Sequence, residues 1–317
     1  MLSTSKSNRQ KSKKLKIVPK PKQECRVQQP TRNWLELPSD LMVNILQRVG
    51  VIEVLENAQK VCTAWREICK DPAMWRVIHM DKLCKDPAMR RVNHMESFTA
   101  PSERHAVYQK MCKHVVDRSQ GQLVDLRISG FCDRELFQYV ADRSSQLRRL
   151  EILFYWGDMY GIWGEAFKKL PLLEELSFGA ISQEDIEAAG RYCPLLKTLK
   201  MNQETYSGRL IDIDYLAFLT FLESEDDEEA MTTRNDIALA VGKNLPQLTH
   251  LELIGNITNI GLESILDGCC HLRSLDLSRC LYVHRKGDLW KRCLQQIKDL
   301  KLPYETLEGY WGYLAAM

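Results

Sequence analysis

Along residues 123–303 the aliphatic side chains fall into a short recurring pattern, aliphatic-x-x-Leu-x-aliphatic. It reads Leu123-Leu126-Ile128, Leu147-Leu150-Ile152, Leu173-Leu176-Phe178 and Leu196-Leu199-Met201. It returns as Leu248-Leu251-Leu253, Leu272-Leu275-Leu277 and Ile297-Leu300-Leu302. The starts lie 24, 26, 23, 52, 24 and 25 residues apart. Alternation within each copy suits a short strand with one face turned inward. Stretches such as Glu184–Tyr192 and Asn259–Leu266 carry helical spacing instead. One strand–helix unit cannot bury its own apolar face, so such units must stack into a continuous core. The interval of 52 residues spans about two periods and holds either a degenerate repeat or an insertion. A helix is expected inside it at Ala230–Val241.

Upstream the pattern is helical. Leu37-Pro38-Ser39-Asp40 suits a helix start, because proline has a preset φ and lacks the amide that a first turn leaves unpaired, and an acid suits the positive end of the dipole. Leu41, Ile45 and Val49 follow at i, i+4 and i+8, with Leu46 widening the stripe, and Gly50 ends the helix. Val54, Leu55, Ala58, Val61, Cys62, Trp65 and Ile68 share a second helical face. Asp71-Pro72 breaks it and Trp75 follows. Residues 33–80 thus read as two or three short amphipathic helices, too small a unit to be robust alone. A duplication comes next: Cys69–Leu83 is echoed by Cys84–Phe98 with ten identities. The echo replaces Trp75 by Arg90 and Ile78 by Asn93, so only the first copy keeps its apolar anchors and the second is expected to be an exposed insertion. Val107, Met111 and Val115 then mark a short helix within residues 101–120.

Two resemblances follow from these residues. A strand signature with a period in the twenties is the mark of a leucine-rich repeat. Cys280 and Asn256, each three residues past a strand, and Cys193 and Cys270, just before strands, make it similar to the cysteine-containing class. Residues 37–75 resemble an F-box through Leu37-Pro38, Asp40-Leu41, Ile45-Leu46, Val61-Cys62, Trp65-Arg66, Pro72 and Trp75, departing from the usual pattern at Asn57 and Gln59. The fold expected is α/β: a small all-α F-box followed by a leucine-rich-repeat solenoid of about seven repeats. The expected organisation is a disordered basic tail at 1–32, the F-box at 33–80, the duplicated insertion and linker helix at 81–120, repeats at 121–303 with an acidic insertion near 202–230, and a C-terminal tail at 304–317.

Composition narrows the function. The formal net charge is +2, which argues against a chain-wide nucleic-acid-binding surface. That balance conceals a basic tail of +8 over residues 1–26 and a body of −6 over residues 27–317. The tail reads as a solvated segment, a nuclear-import address around Lys11–Lys16, or an anion-binding arm. In the body, Glu223–Glu229 holds six acids in seven residues, either a solvated loop or a docking strip for a basic partner. No apolar run exceeds five residues, so no ordinary transmembrane helix is expected. The N-terminus lacks the apolar core of a secretory signal, and a nuclear and/or cytoplasmic location is expected. The eleven cysteines are odd in number and form no CxxC pair. Structural zinc is therefore not expected, and most thiols should be buried small hydrophobes. GxSxG, HExxH, GxGxxG and a phosphate loop are absent from the sequence, and no cofactor or catalytic residue is assigned.

The combination resembles the plant F-box/LRR-repeat family of Skp-interacting proteins. The resemblance implies a substrate receptor of an SCF-type cullin–RING ubiquitin ligase. Its F-box would bind the Skp-type adaptor, and through it cullin and RING subunits, while the repeats hold an unknown target protein. Carried over by motif, Leu37, Pro38, Leu41, Ile45 and Leu46 are expected to face the adaptor. Val61, Trp65 and Trp75 complete that surface or the core beneath it. For the target, outward strand positions offer Arg127, Glu151, Lys200, His250, Glu252 and Asp276. The aromatic run Phe154-Tyr155-Trp156, with Tyr160 and Trp163 nearby, is either a binding rim or packing between neighbouring units. The alternatives are a scaffold outside any ligase and a small-molecule receptor.

Overall fold

We describe a computed structural model of the protein. The residues described are 37–80, 103–155, 161–179, 182–201, 228–254, 257–280 and 282–303. Side chains are described for these apart from 103–104, 154–155, 228–234, 254 and 279. The chain divides into two units, Met1–Leu37 and Pro38–Met317, and every element below lies in the second.

The second unit opens with α1 (Ser39–Val49), α2 (Val51–Glu56), a 3-10 turn at Ala58–Lys60, α3 (Thr63–Ile68) and a 3-10 turn at Pro72–Trp75. Pro38 is the residue before α1 rather than its first turn, with ψ at 144°, and its carbonyl accepts from the Met42 amide at 3.1 Å. Gly50 separates α1 from α2 at a φ of 102°, a value open to glycine and costly for a side chain bearing Cβ. The second helical face is broken in two. Asn57 ends α2, and Cys62 restarts the chain in an extended conformation, its Sγ accepting from the Trp65 amide at 3.5 Å. Asp71 caps the last turn, Oδ1 accepting from the Ala73 amide at 2.9 Å with Pro72 next in line. Leu46, Met74 and Trp75 are buried, and the Trp75 indole N–H donates to the Cys69 carbonyl at 2.8 Å.

Eight parallel strands follow in simple order, each hydrogen-bonded to the next. They are β1 (Val77–Met80), β2 (Asp125–Cys132), β3 (Arg149–Tyr155), β4 (Glu175–Phe178), β5 (Thr198–Met201), β6 (His250–Ile254), β7 (Ser274–Arg279) and β8 (Asp299–Lys301). Parallel neighbours need a crossover. The described helices that supply it are α4 (Glu103–Arg118), α5 (Arg134–Arg143), α6 (Trp163–Phe167), α7 (Gln183–Tyr192), α8 (Glu228–Asn244), α9 (Asn259–Gly268) and α10 (Gly287–Gln296). Register aligns one inward row across the whole sheet: Ile78, Leu126, Leu150, Leu176, Leu199, Leu251, Leu275 and Leu300. The first seven are at most 2% exposed, and Leu300 on the last strand is half-buried. Trp163 lies in the core at 1% exposure, its ring 4.6 Å from Phe137 and 5.3 Å from Phe178.

Three expectations are amended, and one that was left open between two readings is decided. First, Val77–Met80 is a strand: it lacks the leading leucine that marks the others, yet Ile78 sits opposite Leu126. Second, β5 pairs directly with β6, Leu199 opposite Leu251, so the long interval contributes no strand between them and acts as an insertion. Third, the stripe on α4 is rotated. Val107 is 48% exposed, and the buried face runs through Cys112, Val115 and Val116. Fourth, the inward thiol before β7 is Cys269, whereas Cys270 is exposed. Cys193 and Cys269 each end a helix and reach the carbonyl of the unit before, Leu170 at 3.6 Å and Leu245 at 3.4 Å. Burial pushes both thiols up to about 12. Cys280 reaches the Leu253 carbonyl at 3.6 Å, while Asn256, the second duplicate and the acidic run Glu223–Asp227 lie outside the described residues.

Candidate functional site

Two surfaces gather the expected side chains. The first is on the opening helices. Leu41 and Val49 are each 48% exposed and Val61 is 64% exposed. Pro38 is exposed, and Leu37, Ile45 and Trp65 are half-buried. Leu41, Ile45 and Val49 share one stripe of α1, while Met42 and Leu46 on the adjoining stripe, at 2% and 0%, fill the core. Leu46, expected to face outward, is thus an interior residue of this chain, and Trp75 takes the interior alternative at 1%. Met42 was legible as the i, i+4 partner of Leu46. Exposed aliphatic side chains aligned on one helix mark a contact surface, because each leaves apolar area in water that a partner would cover.

The scaffold behind this surface is polar and specific. Gln47 donates to the Met74 carbonyl at 3.1 Å. Arg118, at the end of α4, donates to Gln59 Oε1 at 3.2 Å and stacks its guanidinium 5.6 Å from the Trp75 ring. Gln59, a departure from the motif, is therefore the group that receives Arg118.

The second surface is the outward side of the sheet. Arg127, Glu151, Lys200, Glu252 and Asp276 stand in one register row, with His79 before them, Ser177 among them and Lys301 after. His250 belongs to the neighbouring row, opposite Thr198 and Ser274, with Asp125, Arg149, Glu175 and Asp299. Phe154 and Tyr155 close β3, but their side chains, like Trp156 entirely, lie outside what is described.

Asp125 organises one end of this face. Its side chain is 4% exposed, with Arg149 Nε 2.8 Å from Oδ2. His79 Nε2 stands 3.3 Å and Arg127 Nε 3.7 Å from Oδ1. Burial raises the Asp125 carboxyl, but the hydrogen bonds and charges of His79 and Arg149 outweigh it and hold the group below its usual range. Arg127 also approaches Glu151 at 3.7 Å. At the far end Asp276 accepts from Ser278 Oγ at 2.6 Å and Lys301 Nζ at 2.7 Å. Burial raises this carboxyl too, and those contacts carry the net shift downward. The outward face therefore mixes both signs, with two acids, Glu252 and Asp276, on neighbouring strands. Asp125 and Arg149 escaped the sequence reading because, His250 apart, only the central outward position of a copy was taken, although the residue flanking it on the same face follows from the same alternation.

Among the described residues no group of three or more histidines, cysteines or acids could hold a metal ion. No described helix is long and apolar enough to cross a membrane.

Comparison with known proteins bears on both surfaces. The F-box-like family model matches residues 34–81, which ends one residue beyond β1. The chain is 39% identical to the putative F-box protein At4g05475 of Arabidopsis thaliana, covering 88% of this chain and 82% of that one. It is 40% identical to the putative F-box/LRR-repeat protein 22 of the same plant, covering 88% and 79%. It is 39% identical to the F-box protein SKIP19, covering 87% and 78%. The putative F-box/LRR-repeat protein 23 is 40% identical, and there the chain spans about half the relative's length, 54%.

Proposed function

Because the chain belongs to the F-box/LRR-repeat family, we propose that it is the substrate-recognition subunit of an SCF-type cullin–RING ubiquitin ligase. The opening helices bind a Skp-type adaptor, which joins the chain to cullin and RING subunits. The strand–helix units form a leucine-rich-repeat solenoid of about seven repeats, and its sheet face holds a target protein. The chain makes and breaks no bond. It contributes proximity, raising the effective concentration of target lysines near the ubiquitin-charged enzyme. This work would take place in the nucleus and/or cytoplasm.

The observation that carries the reading is the Leu41–Ile45–Val49 stripe, exposed at Leu41 and Val49, within the segment matched to the F-box. Pro38, Val61, Trp65 and Leu37 extend the adaptor-facing set, and Leu46 and Trp75 support it from the core. On the sheet face, Arg127, Glu151, Lys200, Glu252 and Asp276 form a strip of mixed charge with His250 beside it. Such a strip suits a target with complementary charges, steered at a distance and fixed in register on contact. Phe154, Tyr155 and Trp156, at the end of β3 and just past it, are kept as candidate target contacts.

The test is affinity purification of the full chain with the proteasome blocked, beside a Pro38→Ala/Leu41→Ala variant. Both side chains are exposed, so the fold should survive. The wild type should copurify adaptor and cullin, and the variant should lose at least tenfold of both while keeping any protein held by the sheet. Equal adaptor recovery from the two would overturn the reading and favour a scaffold outside any ligase.

A further inference from the structure

Because the strands are parallel, the connections that lead from each helix into the next strand line one rim of the sheet, and their charges divide into two halves. From the penultimate helical residue to the residue before the strand, the first three run over 117–124, 142–148 and 166–174 and hold five bases and three acids. Each acid pairs with a base of a neighbouring connection: Asp117 with Arg143 at 3.3 Å, Asp142 with Lys169, and Glu174 with Arg148. The last four run over 191–197, 243–249, 267–273 and 295–298 and hold five bases and one acid. That acid, Asp267, is held by Arg292 at 2.6 Å. The five bases, Arg191, Lys197, Lys243, Arg273 and Lys298, are all exposed, and among the described residues no carboxylate pairs with any of them. The helix dipole favours cations in a last turn, which accounts for Arg191 and Lys243 but not for the three bases at the strand entrances.

We propose that this half of the rim docks an acidic segment of a partner protein. The backbone sets the bases in a row. The Thr249 amide donates to the Lys197 carbonyl at 2.9 Å, the Arg273 amide to the Thr249 carbonyl at 2.8 Å, and the Lys298 amide to the Arg273 carbonyl at 3.0 Å. Lys197, Arg273 and Lys298 thus stand on a ladder of four rungs about 14 Å long, which an extended segment of about five residues would cross. Charge complementarity gives such a segment its steering and register. Leu195, 39% exposed beside Lys197, offers it an apolar contact as well. A nucleic acid fits less well. Single strands are gripped by stacking bases on aromatic rings, and the aromatic ring in these connections, Tyr192, is half-buried with Lys168 and Arg191 over it. The −6 carried by residues 27–317 would also repel a long polyanion. None of these five bases belongs to the adaptor-facing stripe or to the outward row, so failure here would leave the ligase reading standing.

The experiment measures binding of the full chain to a fluorescein-labelled peptide repeating Glu-Glu-Leu, by fluorescence anisotropy at low salt. Lys197→Glu/Arg273→Glu/Lys298→Glu changes exposed side chains only, so the fold should survive, and it should weaken binding about tenfold or more. Arg148→Glu/Lys168→Glu/Lys169→Glu makes the same change of net charge on the paired half and should leave the affinity within about twofold of wild type. Equal losses in the two variants, or none in either, overturn the proposal. So does tighter binding of oligothymidylate, or of phosphatidylserine vesicles, than of the peptide. A benzophenone carried by the same peptide should crosslink the wild type within 191–197, 243–249, 267–273 or 295–298. Adducts confined to residues 1–32 or to other segments also overturn it.

Discussion

Asp125 shows how much one buried carboxylate organises. It lies at 3% exposure where the β1, β2 and β3 strands meet, between side chains that are 38–44% exposed: His79, Arg127 and Arg149. Because those side chains keep part of their hydration, removing the acid strands them less than it would in a sealed core. Asp125→Asn is expected to cost about 2 kcal/mol at neutral pH, the scale of hydrogen bonds to charged groups. The sign with pH follows from the lowered carboxyl. A group that ionises more readily when folded stabilises above its unfolded value and loses that contribution as pH falls through its folded one. The gap between wild type and Asp125→Asn should therefore be full above the usual carboxylate value of 3.8 and close below it. Urea midpoints measured from pH 7 down to pH 2 would show this. A gap unchanged at pH 2 would mean that the acid acts by shape and not by charge.

At the scale of elements, the helical layer is set by glycines as much as by leucines. A Cβ added at Gly268 on α9 would lie 1.8 Å from the Gly242 carbonyl oxygen of α8. The two helices pass so closely that backbone meets backbone. Alanine is the better helix former by about 1 kcal/mol, but overpacking against backbone costs up to about 3 kcal/mol or more. Gly268→Ala should lose roughly 2 kcal/mol net, read as a lower urea midpoint. Gly164→Ala on α6, whose Cβ would meet only Ala188 Cβ at 3.4 Å, should stay within about 0.5 kcal/mol of wild type. Beside this contact sits Asn235 of α8, 1% exposed, whose Oδ1 accepts from the Thr258 and Gly261 amides at the start of α9, at 3.0 and 3.1 Å. The insertion between β5 and β6 thus ends in a helix that caps and grips the next unit.

For the whole molecule, the consequential element is the one the periodicity passed over. β1 belongs to the segment matched by the F-box-like family model, yet it is the first strand of the common sheet. The opening helices and the strand–helix units are therefore one hydrogen-bonded body. Arg118 reinforces the joint through Gln59 and Trp75. Ile78→Asn, the exchange already present at Asn93 in the second duplicate, places an amide at a site with 0% exposure. It should cost about 3 kcal/mol and lower a single unfolding transition seen alike by tryptophan fluorescence and far-UV circular dichroism. Two separated transitions would contradict a shared body.

Much of this was written in local periodicity. The seven strands from β2 to β8, the helices at Gln183–Tyr192 and Asn259–Gly268, and the breaks at Gly50 and Asp71-Pro72 follow from side-chain alternation and backbone chemistry. Both are properties of a few consecutive residues. Which of two adjoining stripes on α1 turns inward does not follow from them. Leu41–Ile45–Val49 and Met42–Leu46 are equally apolar, and only the packing of α2, α3 and Trp75 decides between them. The same holds for Cys269 over Cys270, for β1, whose four residues need Leu126 and Ile128 opposite them, and for the direct pairing of β5 with β6 across 52 residues. Each depends on a partner distant in sequence. Burial and strand pairing are relations between segments, and a pattern read along one segment does not contain the other.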